Sequence, residues 1–152
     1  MLLMDIFDEI NTHKYLYLNR LYEEKDLELC VVVDEARILG GEPETLENAS
    51  HYGAIASDHT CRKYRIIFKN YLAYLVTNEI VAGGNDAEQF IGKLLRTYSK
   101  SAFLDYMAST TNGAIDVLGS CTHYEVVTLN QIIDVAATRE PEIEIVPSTD
   151  AT

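Results

Sequence analysis

The stretch Tyr64–Glu79, YRIIFKNYLAYLVTNE, decides how this chain is read. It is the densest run of β-branched and aromatic residues, interrupted by Lys69-Asn70. Two apolar runs with so short a polar break predict a β-hairpin, with Asn70 in the left-handed conformation at the turn. Alternation places Tyr64, Ile66 and Phe68 on one face of the first strand and Arg65, Ile67 and Lys69 on the other. In the second strand, Leu72, Tyr74 and Val76 oppose Tyr71, Ala73 and Leu75. Both faces are partly apolar, and a lone hairpin is unstable in water, so neighbouring segments must cover it.

Outward from this centre, Leu27–Ile38 is too continuously apolar at Leu29–Val33 to be wetted on one face, which places it centrally in the sheet. Gly40-Gly41 ends it, 42–50 reads as a polar loop, and His51–Asp58 is a further strand candidate. Before it, Leu3, Ile6, Phe7 and Ile10 follow helical spacing and Leu18, Leu21 and Tyr22 resume it, predicting helix over 2–22 with a break at Asn11-Thr12. After the hairpin, Asn85 and Glu88 fit a capping box for a short helix to about Ile91. Lys93–Tyr98 is a short strand candidate. Ser99 is the expected N-cap of an amphipathic helix near 100–110, with Phe103, Tyr106 and Met107 as its stripe and Asn112-Gly113 as its end. His123–Leu129 has β-character, Asn130–Ala137 is helical turn or strand, and Ile143–Val146 is an edge strand. The expectation is one α+β domain over 1–147, with a mixed, mostly antiparallel sheet on the central hairpin and a flexible tail at 148–152.

Charge carries most of what the sequence says about function. Of 152 residues, 24 are acidic and 12 basic, a net charge of −12. Residues 1–60 hold 13 acids and 4 bases, 61–120 hold 5 and 7, and 121–152 hold 6 and 1. Such a balance repels phosphate backbones, so nucleic acid is not an expected partner. No run reaches the ~18 apolar residues of a membrane span. Met1-Leu-Leu-Met meets Asp5 with no basic region before it, and no signal peptide is expected. Three cysteines (Cys30, Cys61, Cys121), odd in number and far apart, suit a reducing cytoplasm and read as buried thiols.

Catalytic signatures are missing from the sequence. There is no Gly-x-Ser-x-Gly elbow and no His-Glu-x-x-His, and neither Gly-Gly pair has the spacing or lysine of a phosphate loop. The expectation is therefore a protein that is not an enzyme and carries no cofactor. One pattern offers metal chemistry: His59-Thr60-Cys61 mirrors Cys121-Thr122-His123, and in extended strands each would point an imidazole and a thiolate to one side. Against it stands the single-residue spacing, tighter than the usual knuckle.

The functional expectation is a binding protein that meets a basic partner, of the immunity or antitoxin type that neutralises a basic nuclease. Its contact surface is assigned to Asp5, Asp8, Glu9, Glu23, Glu24 and Asp26, with Tyr15, Tyr17 and Tyr22 as anchors, because tyrosine buries a large ring while keeping one polar atom. Two alternatives stand beside it. One is a small-molecule-binding or hydrolytic domain with a pocket beside the hairpin, using Tyr64, Tyr74, His59 and His123. The other is a subunit of a larger assembly that docks through the hairpin edge.

Overall fold

A computed structural model describes residues 3–38, 55–110 and 120–147. Helix α1 (Ile6–Thr12) leads into strands β1 (Tyr15–Lys25), β2 (Glu28–Ile38), β3 (Ile55–Ala56), β4 (Lys63–Lys69), β5 (Ala73–Asn78), β6 (Gln89–Ile91) and β7 (Leu95–Lys100). Helix α2 (Ala102–Thr110) follows, then β8 (Thr122–Val127), β9 (Gln131–Ala137) and β10 (Glu142–Val146). The fold is α+β, with two α-helices and two antiparallel five-stranded sheets among the described residues. The first sheet runs β1-β2-β4-β10 with β3 added on β2, and the second runs β5-β9-β8-β7-β6. Leu16, Leu29, Val31, Val33, Tyr64, Ile66 and Phe68 from the first sheet meet Leu95, Tyr124, Val126, Ile133 and Val135 from the second in one core. Such burial by alternate residues of two facing sheets is the sandwich solution to a two-sided apolar problem.

The central stretch is two strands, as its composition requires, but they do not pair with each other. β4 lies between β2 and β10, whereas β5 pairs with β9. Asn70 does take a left-handed conformation, with φ 56°. A two-residue return needs a second left-handed residue or a leading glycine, and Tyr71 is neither. Instead the Tyr71 amide donates to the Leu27 carbonyl beside the first sheet, and the next amide, Leu72, donates to Ala136 in the second. The chain therefore crosses between layers where a hairpin was expected.

The N-terminal helix is also shorter than 2–22. Asp5 caps α1 by accepting from the Phe7 amide at 3.0 Å, and the helix stops at Thr12. From Tyr15 the chain is strand, with Leu16 and Leu18 inward. A bulge between Leu18 and Arg20 then returns Leu21 to the same face, opposite Val31. That irregularity places two inward leucines three residues apart, the spacing of a helix face inside a strand.

Residues 85–91 form turns and β6, not a helix. Asn85 accepts from the Ala87 amide at 2.9 Å, and the Glu88 carboxylate reaches the Ala102 amide at 3.1 Å instead of closing a capping box. The cap of α2 is Ser101, not Ser99: its Oγ accepts from the Leu104 amide at 3.0 Å. β2 is central, β9 resolves the 130–137 ambiguity as strand, and among the described residues β10 is an edge, paired with β4. Gly40-Gly41, the loop at 42–50, the first four residues of His51–Asp58, Asn112-Gly113 and the tail at 148–152 lie outside the described residues. Among those described, no helix is long and apolar enough to cross a membrane.

Candidate functional site

The face of the second sheet turned away from the core should, by alternation, be wet and polar. Polar it is, but its centre is buried. On β8, His123 and Glu125 point outward two residues apart. Asp134 on β9 stands directly opposite Glu125, while Tyr98 and Arg96 on β7 stand opposite His123 and Glu125. His123 is 1% exposed and Asp134 9%. The imidazole is stacked on Tyr98 (centroids 4.2 Å apart, 15° between planes), and Phe103 of α2 packs against it at 5.0 Å.

These side chains form one continuous hydrogen-bonded chain. Ser101 Oγ lies 2.7 Å from His123 Nδ1, and His123 Nε2 lies 2.7 Å from Asp134 Oδ1. Glu125 bonds to Asp134 and accepts at Oε1 from the Tyr98 hydroxyl (2.9 Å) and from Arg96 Nη1 (3.2 Å). Burial pushes Glu125 up to about 7, helped by the bond to Asp134. Desolvation also raises Asp134, but the bond from Glu125 pulls it back, so Glu125 is the member that holds the proton. Burial holds His123 down at about 4. A neutral imidazole facing an ionised Asp134 must carry its proton on Nε2, which leaves Nδ1 to accept from the Ser101 hydroxyl. Ser101 thus spends its proton on His123 and accepts the Leu104 amide. It is 5% exposed, and its role here is a cap and an anchor for the ring.

Beside this chain lies a half-open cavity of about 610 Å³. Leu16, Leu94, Val127, Leu129 and Ile132 supply apolar wall, and Tyr15, Phe90 and Tyr98 supply rings. Among the described residues its charged lining is Glu79, Asp86 and Glu88 against one cation, Arg96, while Glu125 holds its proton. That cation is already engaged: it pairs with Glu125 at 3.2 Å, lies over the Phe90 ring at 4.2 Å and donates to the Lys93 carbonyl at 3.0 Å. The cavity therefore presents uncompensated negative charge beside apolar surface.

The residues singled out from sequence are distributed as follows. Asp8 and Glu9 are on α1 and Asp5 precedes it, at one end of β1; Glu23, Glu24 and Asp26 are exposed at the other, by the β1–β2 turn. Eight strand residues, Tyr15–Tyr22, lie between the groups, roughly 27 Å of extended chain. Asp5 is used as a helix cap, Glu9 lies 3.7 Å from Arg62, and Glu23 bonds the Tyr71 hydroxyl. Tyr17 is 48% exposed, Tyr15 lines the cavity, and Tyr22 lies under Arg20 at 4.1 Å.

Of the four metal candidates, His59 and Cys61 precede β4 of the first sheet, while Cys121 and His123 stand at β8 of the second. Among the described residues the cluster of three metal-capable side chains is His123, Glu125 and Asp134, with no thiolate in it. Tyr64 is fully buried and bonds His13 at 2.6 Å, remote from His123. Sequence reading named His123 but missed Glu125, Asp134 and Ser101. The available signal was a lone charge in each of two apolar strands, HYEVV and QIIDVAA. A scan against models of protein families, a search of curated proteins and a search of solved structures each found nothing that matches this chain.

Proposed function

We propose that this domain binds a small amphipathic cation, an apolar body carrying a protonated amine, in the cavity on the outer face of the second sheet. The observation that carries the reading is the lining itself: the carboxylates of Glu79, Asp86 and Glu88 against one arginine already engaged by Glu125, set beside apolar walls and aromatic rings. A cavity of this size and mixed lining suits a small ligand. Ring faces and carboxylates together favour an ammonium group over a neutral or anionic head. The buried chain behind it, fixed by Ser101 and two aromatic rings, keeps Glu125 in place before any ligand arrives, which limits the ordering cost of binding.

Three near-isosteric probes test this reading: phenethylammonium, 2-phenylethanol and phenylacetate. Calorimetric titration should rank them cation first, neutral second and anion last, and Phe90→Ala should weaken the cation severalfold. An unchanged or reversed order contradicts the proposal.

A second reading keeps the expectation of a basic protein partner, of the kind an immunity or antitoxin-like inhibitor meets. It is favoured by one observation, the three exposed acids Glu23, Glu24 and Asp26 gathered at the β1–β2 turn. A basic partner retained on the immobilised wild-type chain at low salt should be lost from the Glu23→Lys/Glu24→Lys chain. Equal retention by both chains removes this reading.

A further inference from the structure

We infer that His123, Glu125 and Asp134 form a binding site for one divalent transition-metal ion at the edge of the cavity. The inference rests on the cation-binding reading above and specifies what the innermost part of that site takes. Each of the three residues offers one ligand atom, and the three atoms lie within 4.8 Å of one another. One imidazole nitrogen with two carboxylates is a donor set for zinc, manganese or ferrous iron, whose bonds to such atoms are about 2.0–2.2 Å long. Small rotations of the two carboxylates close that set on a single ion.

The surroundings are those of a ligand set held from outside. His123 is clamped between Tyr98 and Phe103, and its far nitrogen is bound by Ser101, so Nε2 can point only toward Asp134. On metal binding the imidazole proton moves to Nδ1 and is accepted by Ser101 Oγ, while the Ser101 hydroxyl turns away. Glu125 has one oxygen taken by Tyr98 and Arg96, leaving the other toward Asp134. It also lines the cavity, which makes it the point of entry. Glu125 and Asp134 stand directly opposite each other across β8 and β9, so a single ion between them meets both carboxylates.

The test uses the full chain, stripped with a chelator and titrated with Zn²⁺ and Co²⁺. One equivalent should bind and persist through dialysis. Glu125→Gln and Asp134→Asn, which keep side-chain volume, should weaken binding at least tenfold, while His59→Ala leaves it unchanged. Because buried substitutions can unfold the sheet, X-ray absorption on the wild-type Zn²⁺ protein gives a second readout, expected to show nitrogen and oxygen neighbours only. Failure of Zn²⁺ and Co²⁺ to saturate at one equivalent, a sulfur neighbour, or full affinity in a folded Glu125→Gln chain each overturns the inference. Phenethylammonium is titrated separately into the chelator-stripped protein. Amine binding without metal binding rejects this inference alone, and metal binding without amine binding rejects the amphipathic-ligand reading alone.

Discussion

Asn11 carries more of the structure than its place at a helix break suggests. Its Oδ1 accepts from three consecutive amides, Lys93 (2.9 Å), Leu94 (2.7 Å) and Leu95 (2.9 Å), while its Nδ2 donates to the carbonyls of Phe7 and Leu95, each at 3.1 Å. One side chain thus ties α1 to the start of β7. Leu94 and Leu95 are buried, so Asn11→Ala strands amides that water cannot reach and should cost about 3 kcal/mol in chemical denaturation. Asn11→Asp keeps the acceptor and should lose clearly less; equal losses would mean the amides are not what Asn11 holds.

Glu125 makes a second claim at this scale. The folded chain keeps its proton up to about pH 7, whereas an ordinary glutamate releases it near 4.5, so its contribution to stability falls as pH rises through that window. His123 works in the opposite sense. Its pKa drops from 6.5 to about 4, so its contribution is lost as pH falls through that range. In the metal-free wild type the two slopes oppose each other between pH 4.5 and 6.5. Glu125→Gln removes one of them, and its stability should rise relative to wild type, by on the order of 2–3 kcal/mol between pH 4.5 and 7.5. Parallel curves for the two proteins would refute the assignment of the proton to Glu125.

At the scale of elements, the β6–β7 turn depends on Gly92. Its φ is +96°, and an added Cβ would sit 2.3 Å from the Leu95 carbonyl oxygen. Gly92→Ala should therefore cost roughly 1–3 kcal/mol or more, lowering the melting temperature. Gly83→Ala and Gly84→Ala, with open space at both positions, should change it little. A melting temperature for Gly92→Ala equal to those two controls would contradict this account of the turn.

The elements also show what a sequence discloses. β2, β4, β5, β8 and β10 were legible because their residue types and alternation suit strands. Their partners were not. Whether β4 turns back or crosses over is decided by Tyr71 and by where Leu27 and Ala136 offer carbonyls, and those are non-local facts. β1 was misread because a single bulge mimics helical spacing. The site follows the same rule: Glu125 and Asp134 are nine residues apart, and only the pairing of β8 with β9 brings them together.

For the whole molecule, the sequence shows the charge of −12 but not its placement. Among the described acids, Asp5 caps α1 and Glu9 pairs with Arg62; Glu23, Glu24 and Asp26 are exposed at the β1–β2 turn; and Glu79, Asp86, Glu88 and Glu125 line the cavity. Ion pairs such as Arg65 with Glu144 and Lys69 with Glu142 neutralise much of the outer face of the first sheet. On the second sheet Glu79, Asp86 and Glu88 line a cavity with apolar walls, where a low-dielectric surface strengthens their pull on a cation.

The most direct test is to map amide chemical shifts while phenethylammonium is titrated into ¹⁵N-labelled protein. The account predicts saturable shifts centred on Phe90, Arg96, Tyr98, Glu125 and Leu129. Shifts centred instead on Glu23–Asp26, or no saturable shifts at all, would contradict it.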